Sequence, residues 1–97
     1  MQINFTGRNI EITPALKAFT QEKMERLDNR HSNIANLNVT FHIEHMTHIA
    51  EANVHANGLD IHATAKSDDM YTAIDMLVDK LIAQITKHKE KLIDNHR

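Results

Sequence analysis

The middle of the chain alternates apolar and polar residues with a period of two, which is typical of strands with one buried and one solvent-facing side. Three segments have this pattern: residues 37–44, 50–56 and 59–66. Asn57-Gly58 separates the last two and favours a two-residue type I′ turn, because both central residues of that turn need positive φ. Such a turn pairs Val54 with Ile61, so the apolar residues of both strands share one face.

A shorter alternation at the N-terminus predicts a first strand that ends at Gly7. Thr13-Pro14 then predicts a helix start, since threonine caps free amide donors and proline suits the first helical position. We expect this helix to end at about His31. Its apolar stripe, at helical spacing, consists of Leu16, Phe19, Met24 and Leu27.

Ser67-Asp68-Asp69 predicts the start of a second helix, with acids in the first turn, where the helix dipole favours them. The buried stripe of this helix is predicted to be Met70, Ile74, Leu77, Leu81, Ile85 and Leu92. The element order is therefore β-α-β-β-β-α. This order predicts an α+β fold of two layers, a four-stranded sheet with two helices on one face, as a single domain over residues 1–97.

Composition narrows the function classes. The 97 residues include no cysteine, which excludes a disulfide scaffold, a thiolate zinc site and a cysteine nucleophile. Apolar runs are only a few residues long, so we expect no membrane-spanning helix. Residues 1–13 lack the apolar segment of a secretory signal, which favours a cytoplasmic protein.

Charge is unevenly distributed. The formal net charge is −2, but residues 80–97 carry five bases and two acids, for a net charge of +3. One helical stripe in this region consists of Lys80, Gln84, Lys87 and Lys91. Side chains at this spacing lie about 5–6 Å apart, and a row of ammonium groups suits a phosphate backbone because each neutralised phosphate releases counterions. The same stripe is also compatible with an ordinary solvated helix face.

Lys23, Arg26 and Arg30 form a second basic edge on the first helix. If both helices cover the same face of the sheet, these residues and the stripe on the second helix are expected to line one groove.

Eight histidines suggest a metal site as an alternative. His55, Asp60 and His62 cluster across the predicted hairpin, and two imidazoles with a carboxylate are able to bind a transition metal. Polar residues on a wet sheet face are the simpler interpretation.

Motifs for catalysis are absent from the sequence, including a phosphate-binding glycine loop, a nucleophile elbow and HExxH. We therefore expect no enzyme, no cofactor and no resident metal. A small metal- or ligand-binding domain and an unrecognised hydrolase are the alternatives.

Several segments of the chain resemble one known family. They are residues 1–7, 11–13 and, above all, 69–75, 79–81 and 84–89. These residues resemble the ribosome hibernation promoting factor family, in its short, γ-proteobacterial form. The resemblance covers essentially the whole chain. It implies a fold similar to double-stranded-RNA-binding domains, with the same β-α-β-β-β-α order.

The resemblance also implies a function. Members of this family are cytoplasmic, non-enzymatic factors that bind the small ribosomal subunit and its 16S rRNA in the mRNA and tRNA channel. In stationary phase they block translation, and short forms promote inactive 100S ribosome dimers together with ribosome modulation factor; no DNA or membrane partner is implied. Carried onto this chain, the RNA-binding positions are Lys80, Lys87, Lys89 and Lys91, followed by Lys23, Arg26 and Arg30.

Overall fold

Six elements follow one another in the order that the sequence predicts. The computed structural model describes the backbone of residues 1–30, 34–56 and 58–95, and the side chains of these residues as far as His88. The elements are β1 (Gln2–Arg8), α1 (Pro14–Arg30), β2 (Ile34–Glu44), β3 (Thr47–Ala56), β4 (Leu59–Ser67) and α2 (Met70–Asn95). The predicted α+β fold is thus confirmed, with β1 one residue longer than expected. The predicted helix end at His31 lies outside the described residues.

The four strands form one mixed sheet in the order β1-β2-β3-β4. β1 runs parallel to β2, whereas the other two pairs are antiparallel. Val54 pairs with Ile61 and His55 with Asp60, so the predicted register of the last hairpin is confirmed. Gly58 in its turn has φ of 73°. A side chain is disfavoured in that conformation, which is why the turn selects glycine.

The hydrophobic core lies between one face of the sheet and the two helices. Its largest fully buried apolar side chains are Phe41, Met24, Leu27, Leu37, Ile74, Leu77, Leu81, Ile85, Val39, Val54 and Val78. The predicted stripe of α2 is buried from Met70 to Ile85, whereas the side chain of Leu92 lies outside the described residues. Neither helix, over its described length, is apolar and long enough to cross a bilayer.

The stripe of α1 differs from the prediction at two adjacent residues. Phe19 is only half-buried, whereas Thr20 is fully buried. The Thr20 hydroxyl donates a hydrogen bond of 2.8 Å to the Leu16 carbonyl one turn earlier, so its polar atom is satisfied inside the core. Phe19 instead packs edge-on against Tyr71 of α2, with ring centroids 4.9 Å apart.

The other face of the sheet is largely polar, as the alternation predicts. Ile49 is an exception, because it points to this face and yet is only 3% exposed. It lies between His42 of β2 and Lys66 of β4 in the strand register. The long side chains of such neighbours can shield an apolar residue from water, which is how a strand can continue through an apparent break in its pattern.

Asp69 caps the N-terminus of α2. One of its carboxylate oxygens, Oδ2, accepts the backbone N–H of Thr72 at 3.0 Å and the Thr72 hydroxyl at 2.9 Å. These two hydrogen bonds hold the pKa of Asp69 below its ordinary value of 3.8. The helix starts where the sequence predicts, but its acids lie at and before the cap, not in the first turn.

We predict that Asp69→Ala lowers the midpoint of thermal unfolding at neutral pH, because the N–H of Thr72 loses its acceptor. The pKa of Asp69 is depressed in the folded state, so the contribution of the cap is present above the unfolded pKa and is lost as the pH falls through the folded pKa. The difference in unfolding free energy between the two proteins should therefore be constant from pH 7 to 5 and should narrow below about pH 4.

Asp68→Ala is the matched control, since the Asp68 carboxylate accepts a single hydrogen bond of 3.3 Å from the Ser67 hydroxyl. Urea unfolding at several pH values measures both variants. An unchanged difference at pH 3 would contradict the assigned cap.

Candidate nucleic-acid interface

One side of α2 faces the outermost strand of the sheet. Lys80 Nζ donates a hydrogen bond of 2.7 Å to the Thr64 carbonyl oxygen, and Gln84 Nε2 donates one of 3.1 Å to the His62 carbonyl oxygen. Both acceptors belong to β4, an edge strand whose outer carbonyls have no neighbouring strand. Lys80 and Gln84, the first two members of the predicted stripe, therefore form hydrogen bonds with this edge of the sheet. They also present a positive charge and hydrogen-bond donors at the surface.

A shallow groove continues from this point towards the end of α2. Its lining residues are Leu59, Asp60, Ile61, Gln84, Lys87 and His88. Lys87 is exposed to solvent, so its ammonium group is free to approach an anion. We call the side of α2 formed by Lys80, Gln84 and Lys87 the basic flank. Lys89 and Lys91 also belong to α2, but their side chains lie outside the described residues.

The basic residues of α1 lie on the opposite side of α2. Lys23 Nζ is 3.4 Å from Asp75 Oδ1, and Arg26 Nη2 is 3.5 Å from Asp79 Oδ1. Five residues separate Asp75 from Lys80, which turns them by about 140° about the axis of α2. The expectation that the two basic edges line one groove is therefore wrong, because α2 itself separates them.

These two ion pairs are exposed and weak. The side chains of Arg26 and Asp79 are 50% and 69% exposed, and pairs of this kind contribute roughly 0–1 kcal/mol. Lys23 also lies over the Phe19 ring, 5.3 Å from its centroid. Arg30, the last residue of α1, is exposed. The bases of α1 thus form a second cationic surface that is partly neutralised by carboxylates of α2.

The candidate metal ligands do not converge on one point. His55 Nδ1 lies 3.0 Å from Asp60 Oδ1, but His62 Nδ1 lies 2.8 Å from Asn53 Oδ1. Each histidine thus interacts with its direct cross-strand partner. Among the side chains that the structure describes, no three histidine, aspartate or glutamate residues form a group that could hold a metal ion.

Sequence reasoning missed both ion pairs and the contacts of the basic flank with β4. A signal for the pairs was available, because Lys23 and Arg26 are three residues apart, as neighbours on one helix face, and Asp75 and Asp79 are four apart. Each helix therefore presents two like charges on one face, and the two faces are complementary in sign. The contacts with β4 left no comparable signal, since they join side chains to backbone carbonyls.

The geometry defines a small two-layer α+β domain that carries most of its described cationic side chains on its helices. The chain belongs to the family described as Sigma 54 modulation protein / S30EA ribosomal protein, whose model matches residues 3–93. The resemblance found in the sequence is thus confirmed.

Relatives and solved structures agree with this membership. A ribosome hibernation promoting factor from Klebsiella oxytoca is 49% identical over 92 residues, covering 95% of this chain and 97% of the relative. The factor of the same name from Escherichia coli K12 is 48% identical with the same coverage. A ribosomal subunit interface protein from Coxiella burnetii superposes with a TM-score of 0.88 at 40% identity, over 93% of this chain and 99% of the other. The N-terminal domain of Thermus thermophilus Protein Y has a TM-score of 0.85 at 30% identity, over 91% and 99%.

We predict that Lys80→Glu lowers the free energy of unfolding by about 1 kcal/mol, because a carboxylate would replace the donor to the Thr64 carbonyl. Lys80→Gln retains a donor and should lose less than half of that amount. Lys87→Glu, which changes the same charge at an exposed position, is the control and should leave stability nearly unchanged. Equal losses in the two Lys80 variants, measured by urea unfolding, would show that the contact with β4 does not stabilise the fold.

Proposed function

We propose that this protein is a ribosome hibernation factor of the cytoplasm that acts without catalysis. It binds the small ribosomal subunit through 16S rRNA in the mRNA and tRNA channel and inhibits translation in stationary phase. Together with ribosome modulation factor it promotes inactive 100S dimers. The proposal is supported by the family membership and by the full-length similarity to proteins named ribosome hibernation promoting factor.

The basic flank is the structural observation that carries the proposal. Lys87 is exposed beside a groove that also contains Gln84 and His88, so charge and hydrogen-bond donors lie together. The phosphates of rRNA are the natural ligand for such a surface, because their neutralisation releases bound counterions. Lys91 continues the spacing of the basic flank four residues after Lys87. Lys89 is turned by about 200° from Lys87 along the helix and is included because of the family resemblance alone.

The bases of α1 fit the proposal in a different way. Lys23 and Arg26 are held by weak, exposed ion pairs with Asp75 and Asp79. Phosphates of rRNA can replace these carboxylates at small cost, since the pairs contribute little to stability. We therefore assign Lys80 and Lys87 the larger role, with Lys23, Arg26 and Arg30 as supporting contacts.

We predict that Lys87→Glu weakens co-sedimentation with empty small subunits by about tenfold or more at moderate salt, because it removes a phosphate contact and adds repulsion. Lys87→Gln should weaken binding less and reduce the slope of log affinity against log salt by about 1. Titration of each protein onto subunits at 50, 100 and 200 mM salt measures both effects.

Lys66→Glu is the matched control for this titration. Lys66 is also exposed, but it lies on the polar face of the sheet and does not line the groove beside Lys87. The control undergoes the same change in net charge, so an effect of overall charge alone would weaken both variants alike. That result, or full binding by Lys87→Glu, would remove the basic flank from the rRNA contact.

We also predict competition with the normal ligands of the channel. If the protein occupies the path of mRNA and tRNA, subunits loaded beforehand with mRNA and initiator tRNA should resist it, whereas empty subunits should bind it and then reject tRNA. Inhibition should need about one copy per ribosome and should reverse on removal of the protein, since no bond is made or broken. Filter binding of labelled tRNA measures the order dependence. Equal binding to empty and loaded subunits would place the site outside the channel, and cleaved rRNA would indicate an enzyme.

A further inference from the structure

The two edge strands of the sheet differ in the hydrogen bonds that their outer backbone groups make. β4 is partly covered, since Lys80 and Gln84 of α2 donate hydrogen bonds to two of its carbonyls, those of Thr64 and His62. β1 is the opposite edge strand, and every residue in it is exposed or half-buried. Among the described residues, no side chain or loop backbone donates to, or accepts from, the outer backbone groups of β1. This side of the sheet therefore presents unpaired N–H and C=O groups to solvent.

The unpaired part of β1 is regular and accessible. Gly7 closes it at one end, because the chain turns back there so tightly that a Cβ at this position would lie 2.7 Å from the Ile10 carbonyl oxygen. We call the outer side of Gln2–Thr6 the free edge. It contains no proline, lysine or bulge, the usual devices that keep another strand from pairing with an edge.

A groove beside the free edge carries a definite charge. It is lined by Met1, Ile3, Gln21, Glu25 and Asp28, so an apolar strip of β1 lies next to two exposed carboxylates of α1. Lys23 and Arg26, the bases of the same part of α1, point to α2 instead. Lys17 of α1 lies over the Phe5 ring, 5.9 Å from its centroid, so the acidic part of this side is the groove at Met1 and Ile3 and does not extend along the whole free edge.

We propose that the free edge is a docking site for an extended, basic protein segment that adds to the sheet as a fifth strand next to β1. The backbone of the segment pairs with the free N–H and C=O groups of Gln2–Thr6. Its apolar side chains lie on Met1 and Ile3, and its lysine or arginine side chains face Glu25 and Asp28. This interaction is separate from rRNA binding, since it uses the opposite edge of the sheet from the basic flank.

The experiment uses the 97-residue chain and two fluorescent octapeptides in which one strand face alternates charged and apolar residues, Lys-Thr-Val-Thr-Lys-Thr-Val-Thr and Glu-Thr-Val-Thr-Glu-Thr-Val-Thr, because valine and the charged residue must point to the same side of the added strand. We expect the lysine peptide to bind at low salt, as measured by anisotropy, and the glutamate peptide not to bind. Binding should give the amide protons of the free edge new protection from hydrogen exchange. Absence of binding, or protection confined to other strands, would overturn the proposal.

Two charge reversals locate the site. Glu25→Lys with Asp28→Lys should weaken binding of the lysine peptide by about tenfold or more, and the same double variant should gain binding of the glutamate peptide, which a misfolded protein would not do. Glu11→Lys with Glu22→Lys is the control, since both residues are exposed but neither lines the groove. An equal loss in the control would indicate attraction to overall charge only.

A third peptide separates strand addition from simple ion pairing. It has the sequence of the lysine peptide with N-methyl groups on alternate residues, so one of its edges has no donors. A fourth peptide carries the N-methyl groups on the other set of alternate residues. We expect the two methylated peptides to differ in affinity, and at least one of them should not bind. Unchanged binding by both would overturn strand addition.

Concentration-dependent sedimentation of the protein alone, with protection of the same amides, would show a second copy of the chain at the free edge and would also overturn the proposal.

Discussion

The packing of a single face of α2 against the sheet determines where the charges of this protein lie. Ile74, Leu77 and Leu81 are fully buried, and this fixes the rotation of the helix about its axis. Once that rotation is set, Lys80 must lie towards β4 and Asp75 towards α1, because helical geometry leaves no freedom. The covered edge of β4, the basic flank and the ion pairs with α1 all follow from this one contact. A change in core volume beneath α2 would therefore alter the surface as well as the stability.

Much of the fold could be predicted because local and long-range signals agree. The Asn57-Gly58 turn and the period-two pattern specify the same register, and Val54 opposite Ile61 satisfies both. The start of α2 is equally well defined, since Asp69 caps it by a short-range hydrogen bond. The burial of Thr20 was not predicted, and the reason is physical. Its hydroxyl bonds within its own helix, so a residue that counts as polar in the sequence behaves as an apolar one in the core.

The candidate site was predictable only in part. Spacing along one helix identified Lys80 and Lys87 as neighbours, and in the structure both lie on the side of α2 that faces β4. Periodicity along one helix says nothing about how that helix is rotated relative to another. For this reason Lys23 was expected to share a groove with the basic residues of α2, whereas it pairs with Asp75. The contact of Lys80 with the Thr64 carbonyl also lies beyond sequence patterns, because every residue has a carbonyl. Net charge was a poor guide, since the excess of acids lies outside residues 80–97, where five bases face only two acids.

The edge-on contact of Phe19 with Tyr71 has a practical consequence. Tyr71 is the single tyrosine of the chain, tryptophan is absent, and the ring lies 40% exposed where α1 meets α2. All intrinsic fluorescence excited above the phenylalanine band thus originates from one ring at one helix–helix junction. Changes in the separation of the two helices can be followed by emission from the unmodified protein, without any attached dye. Tyr71 is therefore a built-in fluorescent probe at the junction of the two helices.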